Sequence, residues 1–490
     1  MSLRLYSTRT RAVEPFAPVR APDVAMYVCG LTPSAEAHLG HARSFLFFDV
    51  LRRYLVHLGY RVTYVRNVTD IDDRSIATAQ AEGVSFSDVV ARHLTSFNRS
   101  MNRLHVLEPD HEPHATAYIA EIVAMIAGLI DGGHAYVADD GVYYAVGSFA
   151  RYGALSGRNT DELLIGARIA PGEDKRDPLD FALWKFAKPD EPAWTSPWGA
   201  GRPGWHIECS AMCHALLGEP LDIHGGGFDL VFPHHENEIA QTEPLYGAPM
   251  ANLWVHGGLL LFDGKKMSKS LGNFEPLSAL LDRHDPQAIR LLFLQAGYRK
   301  PLNFTEASIE GATTGLRRLQ SAYDAFRAAP PNAPEQNRAR TAVQPYRDRF
   351  YAALDDDMNT SEAVAVLFET AKDAQALHDA GSASTSAAFM HEALGLVGLD
   401  PAQRFHVEEQ PHRVLAPDFV SRLTSILSDV VRFNGSAATP VAAIAAVIDA
   451  RNQARFAKDF TLADRLRGAL SDNGVYLKDT KEGTTWSVVA

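Results

Sequence analysis

Val24-Ala-Met-Tyr-Val-Cys-Gly30 is a short apolar run closed by a glycine, which is typical of a buried strand. The loop after it leads to His38-Leu-Gly-His41, where an amphipathic helix begins near Gly40 and ends before Gly59. Arg61-Val-Thr-Tyr-Val65 then predicts a second strand. Strand, loop, helix and strand indicate a parallel crossover unit, and ligands bind such sheets beyond the carboxyl ends of the strands.

Length and composition are those of a large globular chain. The 490 residues are too many for one core, so we expect three or more domains. The net charge of −12 excludes a global positive field for nucleic acid, so any such contact needs a local basic surface. Three cysteines exclude a disulfide framework, the start lacks an apolar signal segment, and no run of about 20 apolar residues predicts a membrane helix. We therefore expect a cytoplasmic protein with reduced thiols.

A second informative stretch is Asp222-Ile-His-Gly-Gly-Gly-Phe-Asp-Leu-Val-Phe-Pro-His-His-Glu-Asn-Glu238, which combines glycines, carboxylates and imidazoles. Pro233 fits the first turn of a helix, and a helix starting there puts His234 and Glu238 on one face. One imidazole and one carboxylate would make half of a zinc site. The alternative is a capped surface helix with solvated polar groups.

The other half of such a site would be sulfur, and the chain offers Cys29, Cys209 and Cys213. A helix is predicted from Gly204, and on it the last two cysteines lie four residues apart. Spacing therefore leaves open which of them is a ligand and which is a small core residue. A buried cysteine is usually inert packing.

Two further segments suit phosphate. His38, Gly40 and His41 lie at a helix start, where backbone N–H groups and the helix dipole favour anions and imidazoles can donate to oxygens. Lys266 and Lys269 lie in Asp263-Gly-Lys-Lys-Met-Ser-Lys-Ser270, which reads as a flexible cationic loop able to close on phosphates. The alternatives are a structural role for the histidines and a solvated turn for the lysines.

The rest of the chain divides by pattern into an irregular middle and a helical second half. The middle part predicts a helix at 117–130 and a hairpin at 136–146. Apolar spacing of three and four predicts helices at 285–294, 305–328, 345–354, 361–378, 387–396 and 418–433. The predicted domains are 1–114 and 204–315 as two halves of one sheet domain, 115–203 as an insertion, 316–433 as a helical bundle, and 441–490 as a small final unit.

With these motifs in order, the chain resembles the class I aminoacyl-tRNA synthetases, and among them the bacterial cysteinyl-tRNA synthetases. The likeness covers nearly the whole length, and the joint occurrence is specific although each motif alone is not. It rests on these segments: 5–8, 26–30, 38–41, 66–73, 174–181, 204–209, 223–241, 264–273, 457–464 and 479–486. The resemblance implies an α/β fold with a Rossmann-like catalytic domain, an insertion for handling the acceptor end, a C-terminal helical bundle and an anticodon-binding unit.

The resemblance also implies roles for particular residues. It places one zinc ion per chain on Cys29, Cys209, His234 and Glu238. It matches the phosphate segments to ATP, with His38, Gly40, His41 and Lys269 as contacts and His38, His41, Lys266 and Lys269 as catalytic groups. It places the bound amino acid near Thr69, Trp205 and Asp229.

The implied reaction activates L-cysteine with ATP, accompanied by Mg²⁺, and passes the cysteinyl group to the end of cysteine tRNA. Zinc would bind the substrate thiolate and reject serine, so no editing domain is expected. The resemblance further implies a monomer. Two rivals remain: a ligase that joins cysteine to an aminosugar–inositol in mycothiol synthesis, and a non-catalytic tRNA-binding paralogue.

Two departures from the family pattern concern details. The family usually carries a Tyr-Asp pair between Cys29 and His38, whereas this chain has Ser34 and Ala35. The segment 400–440 is longer than usual, which affects the edge of the tRNA-binding region. Neither departure removes a predicted metal ligand or either histidine.

Overall fold

The computed structural model describes residues 2–158, 174–266, 275–328, 336–379, 381–403, 440–456, 459–472, 475–480 and 483–488. The chain forms two compact units, Met1–Phe405 and His406–Ala490. Among the described helices, none is both long and apolar enough to span a membrane.

The first unit contains thirteen described strands and thirteen described α-helices. Its strands are β1 (Arg4–Ser7), β2 (Ala12–Pro15), β3 (Asp23–Leu31), β4 (Arg61–Val68), β5 (Ala135–Val137), β6 (Gly141–Tyr144), β7 (Phe181–Phe186), β8 (Gly201–Pro203), β9 (Leu221–Gly227), β10 (Ala251–Gly257), β11 (Leu260–Phe262), β12 (Lys265–Lys266) and β13 (Leu302–Phe304). Its helices are α1 (Leu39–His57), α2 (Asp73–Glu82), α3 (Phe86–Arg103), α4 (Ile119–Asp131), α5 (Trp205–Leu216), α6 (Glu236–Tyr246), α7 (Leu277–Arg283), α8 (Pro286–Leu294), α9 (Glu306–Ala328), α10 (Gln336–Asp355), α11 (Thr360–Lys372), α12 (Ala374–Asp379) and α13 (Ala383–Leu396).

A four-stranded sheet with the order β10-β9-β3-β4 lies at the centre, and all its pairs are parallel. The predicted crossover from β3 through α1 to β4 is confirmed. Leu58 is the C-cap of α1, and Gly59 follows it with φ +92°, a conformation that glycine adopts without strain. The α/β fold class is therefore as predicted.

Alternation along β3 divides the protein interior into two cores. Met26 and Val28 belong to the larger core, which contains α1 and the C-terminal helices of the unit. Tyr27 and Cys29 point to the other face and belong to a second core, which contains the residues of the insertion. Successive side chains on a strand face opposite sides, so Cys29 lies between the sheet and the insertion.

The insertion forms an antiparallel sheet of β5, β6, β7 and β8, and the predicted hairpin at 136–146 is confirmed. Asp180 holds the hairpin to β7, because its carboxylate accepts hydrogen bonds from the Tyr136 hydroxyl at 2.7 Å and the Val146 N–H at 2.9 Å. The sheet leads directly into α5, where the predicted helix after Gly204 is confirmed.

The helices after residue 280 differ from the predictions in three places, and one of them is that the helix expected at 387–396 begins at Ala383. The expected start of a helix at Pro345 is wrong, because α10 runs through this proline. A proline inside a helix removes one backbone hydrogen bond, and here the buried Val343 and Phe350 on either side keep the helix packed. The helix expected over 361–378 is divided at Asp373 into α11 and α12. The helix predicted at 418–433 lies outside the described residues.

The second unit has two described helices and one hairpin: α14 (Pro440–Phe456), α15 (Phe460–Asp472), β14 (Val475–Thr480) and β15 (Gly483–Val488). The two strands pair antiparallel, from Val475 with Val488 to Thr480 with Gly483. Ile444, Val447 and Leu466 are fully buried and form the apolar interior of this small unit.

Candidate functional site

A cavity of about 570 Å³ opens at the carboxyl edge of the central sheet, where parallel strands usually bind ligands. It is lined by residues at the end of β3, at the start of α1, in the turn after β9 and after β10. Among the predicted site residues, the lining includes Cys29, His38, Gly40, His41, Trp205 and Asp229. The predicted sulfur ligand and the predicted phosphate histidines therefore face one space.

The two histidines of the predicted phosphate segment cap α1. His38 precedes the helix with an extended backbone, and its Nδ1 accepts a hydrogen bond from the Gly40 N–H at 3.0 Å. The Nδ1 of His41 accepts one from the His38 N–H at 3.2 Å, and the two rings stack with centroids 4.0 Å apart. A Cβ on Gly40 would lie 2.8 Å from the His38 ring, so the glycine makes room for the capping imidazole.

These hydrogen bonds determine the chemistry of the imidazole pair, His38 and His41. Because each Nδ1 accepts from a backbone N–H, each neutral ring carries its proton on Nε2. Burial lowers the pKa of His38 despite the nearby Asp229, and burial together with His38 lowers the pKa of His41 to about 3. Both rings are therefore neutral at pH 7 and act as N–H donors at a helix N-terminus, which suits phosphate oxygens.

Four metal-binding side chains meet beside the cavity, and we call Cys29, Cys209, His234 and Glu238 the metal group. They come from β3, α5, the π-helical turn Val231–His235 and α6, and all four are buried. Their ligand atoms lie within 4.8 Å of one another. The Cys29 Sγ is 3.7 Å from the Cys209 Sγ and 3.4 Å from the Glu238 Oε1, and the His234 Nε2 is 2.9 Å from the same oxygen.

The geometry of the metal group fits zinc, and two of its four side chains, Cys209 and Glu238, are held toward the charged forms that bind metal. Zn–S bonds of about 2.3 Å in a tetrahedron separate two sulfurs by about 3.8 Å, close to the separation of Cys29 and Cys209. Hydrogen bonding with Cys29 lowers the pKa of Cys209 to about 6, whereas burial raises the pKa of Cys29. Burial alone would raise the pKa of Glu238, but His224 and His234 hold it well below the ordinary value. The group thus favours a thiolate and a carboxylate, the forms that bind metal.

A second set of donors overlaps the first, because Cys29, His224, His235 and Glu238 also bring their ligand atoms within 4.8 Å of one another. The two sets share a sulfur and a carboxylate, so a single ion could be held by only one of them at a time. The Nδ1 of His224 is buried and has no hydrogen-bond partner in the described part of the chain, whereas metal-bound imidazoles normally donate their other N–H. The Nδ1 of His234 meets the His206 Nδ1 at 2.8 Å, so the metal group satisfies this requirement better.

Three histidines that sequence reasoning did not assign form an outer layer around the metal group. His224 Nε2 is 2.7 Å from Glu238 Oε2, the carboxylate oxygen that does not face His234. His235 Nε2 is 3.2 Å from the Cys29 sulfur. His235 Nδ1 meets His256 Nε2 at 2.7 Å. Burial lowers the pKa of His235 and lowers that of His256 to about 3, so both rings stay neutral.

The signal for this outer layer is the alternation of side chains on the strands. In the parallel register His224 lies beside Tyr27, which is on the same face as Cys29. Trp254 pairs in register with His224, and His256 follows two residues later on that face. A period of two applied to all three strands would have collected His224 and His256 around Cys29, whereas His235 lies in the turn before α6.

The residues predicted to surround the amino acid differ in position. Trp205 stacks on His234 with ring centroids 4.4 Å apart, and Asp229 is exposed in the cavity wall. Thr69 is buried just after β4, where its N–H donates to the Leu31 carbonyl at 3.0 Å. Thr69 is not among the residues that line the cavity.

The predicted phosphate loop is largely outside the described residues. Lys266 ends β12, and the structure describes its backbone only. Lys269 lies in the segment 267–274, which is not described. The predicted roles of both lysines remain predictions.

Two protein-family models match the chain. The model of the class I (C) tRNA synthetase catalytic domain matches residues 15–314, and the DALR domain model matches residues 349–399. The first match covers both halves of the sheet domain and the insertion between them.

Curated relatives match over the full length. The chain is 46% identical over 492 residues to the cysteine–tRNA ligase of Azotobacter vinelandii, with 100% of both chains covered. It is 45% identical over 489 residues to the cysteine–tRNA ligase of Alkalilimnicola ehrlichii, with 99% of both chains covered.

Solved structures of related enzymes share the fold. A methionyl-tRNA synthetase of Mycobacterium tuberculosis in complex with methionyl-adenylate aligns with a TM-score of 0.56 at 15% identity, covering 76% of this chain and 89% of that chain. A putative arginyl-tRNA synthetase from Campylobacter jejuni aligns with a TM-score of 0.52 at 14% identity, covering 78% and 94%. At these identities the likeness concerns the fold alone.

Proposed function

The chain belongs to the cysteine–tRNA ligases, a family of class I aminoacyl-tRNA synthetases, and we propose that it activates L-cysteine with ATP and transfers it to cysteine tRNA. The observation that carries the proposal is that one cavity has both a group suited to bind a thiolate through a metal and a group suited to bind phosphate. Cys29 of the metal group lines it, and so do the two rings of the imidazole pair. A cysteine substrate could therefore place its thiol at the metal group and its carboxylate next to the triphosphate of ATP.

The imidazole pair serves the first step, in which the cysteine carboxylate attacks the α-phosphate of ATP and pyrophosphate leaves. Negative charge grows on the phosphate oxygens in the transition state. The two Nε2–H groups are fixed donors for that charge, because the backbone bonds to Nδ1 already orient both rings at the start of α1. Magnesium accompanies the ATP phosphates, and Lys266 and Lys269 are proposed to add positive charge there.

The metal group serves amino-acid selection. Zinc held by its four side chains would bind the substrate thiolate, which the serine hydroxyl cannot match. The protein prepares this site by burial and by the outer layer of histidines, in which His224 contacts Glu238 and His235 contacts Cys29. Trp205 packs on His234 and so closes the space beside the thiol, and Asp229, which is exposed in the cavity wall, is proposed to hold the rest of the amino acid.

The remaining domains are proposed to bind tRNA. The insertion would handle the acceptor end, and the small unit predicted at 441–490 would meet the anticodon. Within that unit Arg455 and Arg465 are exposed, whereas Arg451 is only 3% exposed. Any contribution of Arg451 to a tRNA-binding surface is therefore indirect.

The test is charging of cysteine tRNA by zinc-loaded protein, measured with labelled cysteine and with serine as control. We expect charging with cysteine and none with serine. Pyrophosphate exchange that requires cysteine, without tRNA charging, would instead favour the aminosugar–inositol ligase. Absence of both reactions would overturn the proposal and favour a tRNA-binding paralogue.

Two cysteines on one helix give a matched pair for the zinc part of the proposal. Cys209 and Cys213 are both buried on α5, but only the first belongs to the metal group. We expect Cys209→Ala to lose bound zinc and cysteine-dependent exchange, and Cys213→Ala to keep both. Equal zinc content in the two variants would contradict the assignment.

A further inference from the structure

The loop between β3 and α1 contributes a wall of the cavity and contains one charged residue, Glu36. Both oxygens of its carboxylate bond to α3. Oε1 lies 3.1 Å from the His93 Nδ1, and Oε2 accepts a hydrogen bond from the Ser96 hydroxyl at 2.7 Å. Neither the metal group nor the imidazole pair uses this carboxylate.

The contacts of Glu36 are less exposed than an ordinary surface ion pair, which contributes little to stability. The side chain of His93 is 10% exposed and that of Glu36 is 31% exposed, so the pair is shielded from water on one side. The hydrogen bond from Ser96 is short and ends on a carboxylate, which makes it one of the stronger kinds. These bonds fix the side chain to a helix.

Two backbone bonds hold the same loop on either side of Glu36. The Thr78 hydroxyl of α2 donates to the Ser34 carbonyl at 3.3 Å, and the Leu277 N–H at the start of α7 donates to the Ala37 carbonyl at 2.8 Å. Arg103 of α3 also pairs with Asp282 of α7. The loop is thus fastened to three helices, and α3 and α7 are fastened to each other.

The path of the backbone after Glu36 determines how the rings of the imidazole pair are oriented. His38 follows two residues later and caps α1 with an extended backbone, and the cap orients His41 as well. A loop released from α3 would let this cap turn, and small displacements of catalytic groups have large effects on rate.

We propose that Glu36 is a positioning residue for the ATP step, which acts by holding the loop to His93 and Ser96 and so fixes the orientation of His38 and His41. The inference rests on the proposed function. It predicts an effect at the phosphate side of the cavity and not at the thiol side.

The experiment measures pyrophosphate exchange in the full-length, zinc-loaded protein, with KM and kcat for ATP and for cysteine determined separately. Glu36→Ala removes both bonds, and Ser96→Ala removes one of them with little risk to folding. Glu82→Ala is the matched control, because Glu82 of α2 pairs with Arg92 of α3 at 2.7 Å. This substitution also removes a carboxylate contact with α3, but the contact does not involve the loop. Exchange by the unaltered protein tests the proposed function independently.

We expect Glu36→Ala to lower kcat/KM for ATP by between about 10- and 100-fold while KM for cysteine stays within about twofold. Ser96→Ala should give a smaller loss of the same kind, and Glu36→Gln, which still accepts from Ser96, should recover part of the loss. Glu82→Ala should leave both substrates unaffected. Glu36→Ala and Ser96→Ala kinetics equal to those of Glu82→Ala would overturn the inference, as would a rise in KM for cysteine as large as the loss in kcat/KM for ATP.

Discussion

The metal group and the imidazole pair serve the same cavity but are built in opposite ways. His38 and His41 are three residues apart, and one helix start orients both. Cys29 and Glu238 of the metal group are 209 residues apart, and their contact exists only because the sheet, α5 and α6 pack around them. The first arrangement is local and half open to the cavity, whereas the second is long-range and buried, with Cys29 at the cavity wall.

The difference has an energetic consequence. Buried polar groups are costly unless they satisfy one another, and the metal group consists of buried thiols, an imidazole and a carboxylate. Loss of one member leaves the others with unbalanced charge. The imidazole pair has backbone partners that survive the loss of one ring. We therefore expect substitutions in the metal group to be the more damaging.

The largest expected effect comes from Glu238→Gln. The variant loses a negative ligand, so we expect loss of bound zinc and a fall in cysteine-dependent exchange of about 10⁴-fold, the scale of advantage that a site gains by binding a substrate polar group. Zinc content by mass spectrometry and exchange kinetics measure this. Glu243→Gln is the control, because Glu243 is buried on the same helix but pairs with Arg9 and Arg151. If Glu238→Gln retained zinc, substitutions in the metal group would not be more damaging than those in the imidazole pair.

A smaller effect is expected at the phosphate side. His41→Ala removes one neutral donor, so we expect exchange to fall by between about 100- and 1,000-fold with zinc content unchanged. His57→Ala is a suitable control, since this histidine is at the other end of α1 and stacks on Tyr351. If His41→Ala released zinc, the two regions would not be independent.

The same contrast explains which features the sequence predicted. The helix start with its two histidines is a local pattern, and the prediction from His38 to His41 needed no knowledge of the rest of the fold. Spacing on α5 could not choose between Cys209 and Cys213, because both are buried on one helix and the choice depends on how that helix packs against β3. The resemblance supplied this choice. His224 and His256 were missed, since their role follows from strand register rather than from neighbours in sequence.

Helix boundaries failed for a related reason. Pro345 and Asp373 are local signals whose outcome depends on packing. The proline was overridden by the buried residues beside it in α10, whereas the aspartate does end α11. Tertiary contacts therefore determined the helix boundaries where the local sequence preference was weak or divided.

The smallest expected effect concerns the outer layer, through the dependence of stability on pH. The pKa of His256 is lowered from its ordinary value of about 6.5 to about 3, first by burial and then by His224. Below about pH 6.5 the unfolded chain takes up a proton at this histidine and the folded protein does not, so stability falls as pH falls toward 3. Between pH 7 and 5.5 one such group removes about 1 kcal/mol from the free energy of unfolding.

His256→Gln tests this, because glutamine cannot take up the proton. The loss of unfolding free energy between pH 7 and 5.5, measured by urea titration at a fixed zinc concentration, should be about 1 kcal/mol smaller in the variant than in the unaltered protein. His378→Gln, at a site 53% exposed on α12, should keep the original pH dependence. An unchanged slope in His256→Gln would mean that this ring takes up its proton in the folded protein too. The layer around the metal group would then be more open to water than its burial indicates, and the contrast with the imidazole pair would be weaker.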